Sequence, residues 1–260
     1  KKNDIYIPLK GATYDGHEFI TKDLKNKSLI TFSERSDISK TINVNSTKIL
    51  LKELSEEWLC FFKKPIIALT GSNGKTSTKE LLKNIFESKN KVNCTIGNYN
   101  STIGLPMNLF SFSLDSYPQI IEMGANQKNE INYLCQIAKP DYSLVTNIQN
   151  AHIGNFNSMN DLIDTKISIF RNTNEDGYIF ENNDDKQIAK YCKNINNKIQ
   201  FGFKNRKLDF FGEYNVDSSI PNFYINGKKI FNKDLNSIMA KNMLSAYSIA
   251  SVYGISDSNI

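Results

Sequence analysis

The sequence predicts an α/β fold: a central domain with a mostly parallel sheet flanked by helices plus a small antiparallel β region, preceded by a small truncated α/β domain. Three observations predict it. From Lys63 onward, apolar strand-like runs alternate with helical stretches. Residues 1–62 stand apart, with two strand-like runs and one amphipathic helix. Between Lys198 and Phe231, four short β-like segments follow one another without a helical stretch between them. Alternating strands and helices need crossovers, and crossovers produce parallel strands covered on both faces.

In the first segment, "DIYIPL" from Asp4 and "KSLITF" from Lys27 read as strands. "KGATYDGHEFI" between them reads as a turn-rich loop, and "STKILLKELSEEWLCFF" as an amphipathic helix with Ser46 as its cap. Two strands and a helix make a small core, so this segment, 1–62, is expected to be the remainder of a larger domain. Within 63–260, strands are expected at Ile66–Thr70, Gln119–Met123, Ser143–Ile148 and Tyr178–Glu181. Helices are expected over 75–89, 128–138 and 158–171. "KIQFGF", "DFFGEYNV", "NFYING" and "KKIF" read as antiparallel strands, with Asn226-Gly227 as a hairpin turn. "SIMAKNMLSAYSIASVYGI" reads as a helix closed by Gly254.

Bulk properties narrow the function. The chain has 260 residues, 40% hydrophobic and 23% charged, as globular proteins do. No apolar run approaches the roughly 20 residues that span a bilayer. The net charge of +5 is scattered, which argues against a nucleic-acid surface and suits an anionic substrate. The four cysteines, Cys60, Cys94, Cys135 and Cys192, form no C-x-x-C pair and read as reduced, mostly buried thiols of a cytoplasmic protein. The sequence shows no signal peptide; it starts at Lys1 without a methionine, and a missing natural N-terminus would hide any targeting segment.

The chemistry concentrates in "IALTGSNGKTSTKELL", which starts at Ile67. An apolar strand runs into Gly71-Ser72-Asn73-Gly74 and then into a helix whose Leu81, Leu82, Ile85 and Phe86 share one face. Small residues before a helix N-terminus leave bare N–H groups for a phosphate. Leu69 stands where the full G-x-x-x-x-G-K-[ST] pattern has glycine, but the G-x-x-G-K-T core, Gly71–Thr76, is intact. In that setting Lys75 reaches the β- and γ-phosphates, and the Thr76 hydroxyl serves Mg²⁺. The alternative is a glycine turn with a surface lysine.

Glu122 ends the apolar run "QIIEM" at the carboxyl edge of the predicted sheet, where open parallel sheets bind ligands. His152 follows "SLVTNI" toward the same edge. Spacing alone leaves His152 between a solvated loop histidine and a site residue.

These residues carry a resemblance to the Mur ligases, the ATP-dependent family that builds the peptide of bacterial cell-wall precursors. "TGSNGKTSTKELL" resembles the family's ATP loop and "GNYNSTIGLP" its sugar-peptide loop. "IEMGANQKNEINYLCQIAKPDYSLVTNIQNAHIGNF" and "LKGATYDGHEFI" resemble two further family blocks, so the likeness runs from Asp4 to Gly254. The "EMGAN" string is similar to that of the member acting on UDP-N-acetylmuramoyl-tripeptide and D-alanyl-D-alanine. The resemblance implies ATP on Gly71, Ser72, Asn73, Gly74, Lys75, Thr76 and Ser77, with Asn242 near the adenine. It implies two Mg²⁺ ions on Thr76, Glu122 and His152, and a CO₂-derived carbamate on Lys166, which would then join the metal site. Lys75, Glu122, His152 and Lys166 are the implied catalytic residues. Asn98, Asn100 and Ser101, with Asp15, Gly16 and His17 of the nucleotide-sugar domain, are implied to contact substrate. The expected organisation is therefore a partial UDP-sugar domain, 1–62, and an ATP domain, 63–260, with the family's C-terminal domain absent.

Three departures accompany the likeness. Ile238-Met239 stand where the family has His-Asn, Ser168 where it has an acid, and Asn100-Ser101 where it has Asn-Asn. The implied enzyme is a monomer in the cytoplasm, without nucleic-acid or membrane partners. The alternatives are a sister Mur ligase or a folylpolyglutamate synthetase-like ligase, a generic phosphate-loop NTPase, and a non-catalytic nucleotide-binding remnant.

Overall fold

The structure is a computed structural model describing residues 3–149, 153–215, 222–230 and 236–260. It divides into two units, Lys1–Cys60 and Phe61–Ile260, two residues short of the expected boundary.

In the first unit, β1 (Ile5–Tyr6), α1 (Lys22–Lys27), β2 (Ile30–Ser33), β3 (Ile42–Asn43) and α2 (Thr47–Cys60) follow in order. The strands form a parallel sheet, β1-β2-β3. Leu51, Ser55 and Leu59 recur at helical spacing on the buried face of α2. The Ser46 hydroxyl accepts the Ile49 N–H, as a cap should. The third strand and α1 add to the two strands and helix expected. Each is too short to leave a periodic signal.

The second unit is built on nine strands in the order β12-β11-β10-β9-β8-β7-β4-β6-β5. In chain order its elements begin with β4 (Ile66–Thr70), α3 (Lys75–Glu87), β5 (Asn93–Cys94), α4 (Gly104–Leu109), β6 (Gln119–Glu122) and α5 (Glu130–Ile137). They continue with β7 (Tyr142–Val145), α6 (Met159–Arg171), β8 (Tyr178–Asn182), α7 (Lys186–Cys192) and β9 (Lys198–Gly202). The end is β10 (Phe210–Asn215), β11 (Asn222–Ile225), β12 (Lys228–Ile230) and α8 (Ser237–Tyr253). Every residue of β4 and β6 is buried, as central parallel strands require. The chain leaves β4 toward β5 and β6 on one side, then returns to β7 on the other. β4 is thus the switch point, and a crevice opens beyond its carboxyl end.

One local expectation fails. Of the four segments read as antiparallel, β9 runs parallel to both β8 and β10. Only β10–β11 and β11–β12 are antiparallel, the latter around Asn226-Gly227. For the β8–β9 pair the reason is α7, N-capped by Asp185, which carries the chain back across the sheet before β9. The final helix ends as expected, with Gly254 left-handed at φ 95°. The four cysteines are free: Cys135 and Cys192 are buried, Cys94 is half-buried and Cys60 is exposed. No described helix is long and apolar enough to cross a membrane.

Candidate active site

The loop between β4 and α3 has the shape its glycines allow. Gly71 has φ 149°, and a Cβ there would stand 1.9 Å from Thr146 Oγ1. Gly74 is the left-handed N-cap of α3, at φ 80°, and no side chain caps the helix. The first-turn amides, which have no intrahelical partner, are therefore free for an anion. Not every expected amide is available. Ser72 N–H donates to the Asn147 carbonyl at 2.9 Å, and Asn73 N–H to Asn147 Oδ1 at 3.1 Å. In this conformation the amides of Ser72 and Asn73 are thus engaged within the chain, and those at the start of α3 are not capped by a side chain. Thr76 and Ser77 are exposed at this helix start.

Two lysines converge on one carbonyl of the loop. Lys75 Nζ donates to Gly71 O at 2.8 Å and to Ser72 O at 3.3 Å. Lys166 Nζ, on α6, donates to the same Gly71 O at 3.1 Å and is only 3% exposed. Burial lowers the Lys166 pKa to about 8, and the Lys75 charge adds to this. Burial also lowers that of Lys75, while the Glu122 carboxylate opposes the shift. Glu122, 2% exposed at the end of β6, accepts from Asn100 Nδ2 at 2.8 Å through Oε1. Its Oε2 is buried and unpartnered, a costly state for a carboxylate oxygen and one that a cation would relieve. The Glu122 backbone is seated by Lys79, which sequence reasoning missed. This fully buried lysine donates to Thr95 O at 2.8 Å, and Thr95 Oγ1 accepts the Glu122 N–H at 2.9 Å.

Among the described residues no group of three or more His, Cys, Asp or Glu could hold a metal. The donor set suits Mg²⁺ all the same, since that ion takes one or two carboxylates and completes its shell with water and phosphate. Lys75, Glu122 and Lys166 are brought together. His152 lies outside the described residues.

Beside the loop, a cavity of about 450 Å³ runs along the carboxyl edge past Asn73, Gly74 and Asn182 to Phe203 and Lys241. Asn242 of α8 lines it, and its Oδ1 would lie 2.5 Å from a Cβ at Gly74. Ile238 lines the same cavity and is exposed, as is Met239 beside it in sequence. On the β6 side, the Asn100 carbonyl accepts Gly124 N–H at 2.8 Å. Ser101 Oγ accepts Gly104 N–H at 3.2 Å, which fixes the start of α4. Asn98 is exposed.

Within the first unit, Asp15 Oδ1 accepts both the His17 N–H at 2.9 Å and the ring Nδ1 at 2.6 Å. The His17 N–H, its ring and Arg35 hold the Asp15 carboxyl well below the usual carboxylate range. His17 Nε2 accepts Glu34 N–H at 3.0 Å, which leaves the ring proton on Nδ1. Both ring nitrogens of this buried histidine are therefore engaged inside the unit. Gly16 is required sterically, since a Cβ would stand 2.8 Å from Leu9 N.

Comparison with known proteins identifies relatives of the chain. The family model described as the Mur ligase middle domain matches residues 69–249. The UDP-N-acetylmuramoyl-tripeptide–D-alanyl-D-alanine ligase of Rickettsia prowazekii is 33% identical over 242 residues, 88% of this chain and 54% of the relative. That of Bacillus subtilis is 30% identical over 184 residues, 69% of this chain and 40% of the relative. The chain thus spans about half the length of the relatives it matches. A crystal structure of MurF from Acinetobacter baumannii superposes with a TM-score of 0.88 at 26% identity, covering 100% of this chain and 59% of that one. MurF ligase from Thermotoga maritima in complex with ADP gives a TM-score of 0.84 at 26% identity, covering 98% and 61%.

Proposed function

The chain belongs to the Mur ligase family, and on that premise we propose that it carries the ATP-binding part of a ligase adding D-alanyl-D-alanine to UDP-N-acetylmuramoyl-tripeptide. The observation that carries the reading is the meeting of Lys75, Lys166 and the half-satisfied Glu122 at the glycine loop of β4. The reaction is cytoplasmic, in a monomer.

ATP lies with its phosphates on the free amides at the start of α3 and its nucleoside along the cavity beside Asn242. Lys75 leaves the Gly71 and Ser72 carbonyls and pairs with the transferring phosphoryl group. Thr76 and Glu122 would hold one Mg²⁺, with His152 and a carbamylated Lys166 at a second. Bound there, Mg²⁺ supplies charge neutralisation on the phosphate oxygens. Lys166 suits carbamylation because CO₂ needs the neutral amine, and burial beside Lys75 makes that form accessible near pH 8. The γ-phosphoryl passes to the terminal carboxylate of the peptide, giving an acyl phosphate and ADP. The amine of D-alanyl-D-alanine attacks the acyl carbon, phosphate leaves, and an amide bond remains. Such transfer depends on positioning and charge rather than on a strong base. Asn98, Asn100 and Ser101 would orient the peptide end, and Asp15, Gly16 and His17 would shape the nucleotide-sugar site.

The test is ATP consumption with and without the muramoyl peptide and D-alanyl-D-alanine. Turnover is expected only with both, and Lys75→Ala should lose it by about 10²–10³ or more with the fold intact. Equal hydrolysis without the muramoyl peptide would reduce the protein to a simple nucleotidase. Normal ATP consumption by Lys75→Ala would remove the site assignment.

A further inference from the structure

The outer limb of the phosphate loop, Ser72–Asn73, is held from outside by the segment leaving β7. The Asn147 side chain grips one peptide residue at both ends: Oδ1 accepts Asn73 N–H at 3.1 Å and Nδ2 donates to Asn73 O at 2.9 Å. Its own carbonyl accepts Ser72 N–H at 2.9 Å. Thr146 Oγ1 also donates to Asn73 O, at 2.6 Å. Gln149 completes the contact. Its Oε1 accepts Asn73 Nδ2 at 2.7 Å, and its backbone N–H donates to Ser72 Oγ at 2.9 Å.

The grip has a physical purpose. Gly71 and Gly74, both at positive φ, bracket Ser72–Asn73, so this limb is the most pliable part of the turn. Lys75 and Lys166 both pull on Gly71 O from the inside. A polyphosphate gains affinity from a cradle already in shape, because no ordering cost is then charged to binding.

We propose that Asn147 is a positioning residue that presets the phosphate loop, with Gln149 as its auxiliary, for a nucleoside di- or triphosphate. The inference rests on the nucleotide reading above. One phosphate can sit on the helix N-terminus alone, whereas a second must follow the bend at Ser72–Asn73. The clasp therefore bears on the β-phosphate more than on the α-phosphate.

The experiment is calorimetric titration of ADP and AMP into the wild-type chain, Asn147→Ala and Gln149→Ala, with circular dichroism to check the fold. Asn147→Ala is expected to weaken ADP about tenfold or more and to leave AMP within about twofold. Gln149→Ala, at an exposed position, should show the same selective loss at a few-fold, and it decides the matter if Asn147→Ala does not fold. Unchanged ADP affinity, or equal loss for ADP and AMP, overturns the proposal. A wild-type chain that binds neither nucleotide removes the nucleotide reading and this inference with it.

Discussion

Lys166→Met should make the protein more stable at neutral pH while ending its turnover. The Lys166 ammonium is buried beside Lys75, and its pKa falls from the ordinary 10.5 to about 8. Keeping that proton in the folded protein therefore costs about 3 kcal/mol. Methionine fills a similar volume and needs no proton, so a gain of up to about 3 kcal/mol is expected at pH 7. The pH dependence fixes the cause. Below about pH 8 the folded and unfolded chains both hold the proton, and the cost is fully present. Between about 8 and 10.5 the unfolded chain holds it while the folded chain has released it, so wild-type stability rises with pH. The advantage of Lys166→Met should shrink through that window and vanish near its top. Urea unfolding at pH 7, 8.5 and 10 in CO₂-free buffer measures it. A variant less stable than wild type at pH 7, or an advantage independent of pH, would refute the account.

Other outcomes follow from the same coordinates. Gly71→Ala places a methyl 1.9 Å from Thr146 Oγ1 at φ 149°, and should cost about 2–4 kcal/mol in urea unfolding; a neutral effect would mean the loop relaxes freely. Glu122→Gln removes the charge from the unpartnered Oε2 and should raise the Mg²⁺ concentration for half-maximal ATP turnover about tenfold or more. An unchanged Mg²⁺ titration would take Glu122 out of the metal site. Burial pushes the Cys94, Cys135 and Cys192 thiols up to about 12, whereas Cys60 is exposed. A thiol-specific disulfide reagent at pH 8 should consume one thiol quickly, the half-buried Cys94 slowly, and Cys135 and Cys192 only on unfolding; several fast thiols would contradict the burial.

The loop, its strand and its helix were legible because two periodicities meet there: a fully apolar strand, then one apolar helix face around Leu82, Ile85 and Phe86. Gly254 was legible because a helix stop leaves a residue-type signal. β9 was misread because five residues between turns look alike whether the partner runs parallel or antiparallel. The deciding helix, α7, spans seven residues, too few for a clear periodic signal, and Asp185 as its cap is one acid among several in that stretch. At the site, Lys75, Glu122 and Lys166 could be named from motif and resemblance. Lys79 and Asn147 could not. A fully buried lysine has no distinctive spacing, and an asparagine gripping a peptide 74 positions away is invisible in a chain rich in asparagine.

The helix α8 has a bearing on how the chain is made. Its Ala240, Leu244, Ile249 and Ala250 share one cluster with Leu82, Ile85 and Phe86 of α3, and Tyr253 meets Phe86 edge to face at 4.7 Å. The flank of the ATP helix is therefore roofed by residues translated more than 150 positions after it. On the ribosome that flank stays bare and greasy until residues 237–253 emerge, a long-range closure of the kind that slows folding and invites chaperones.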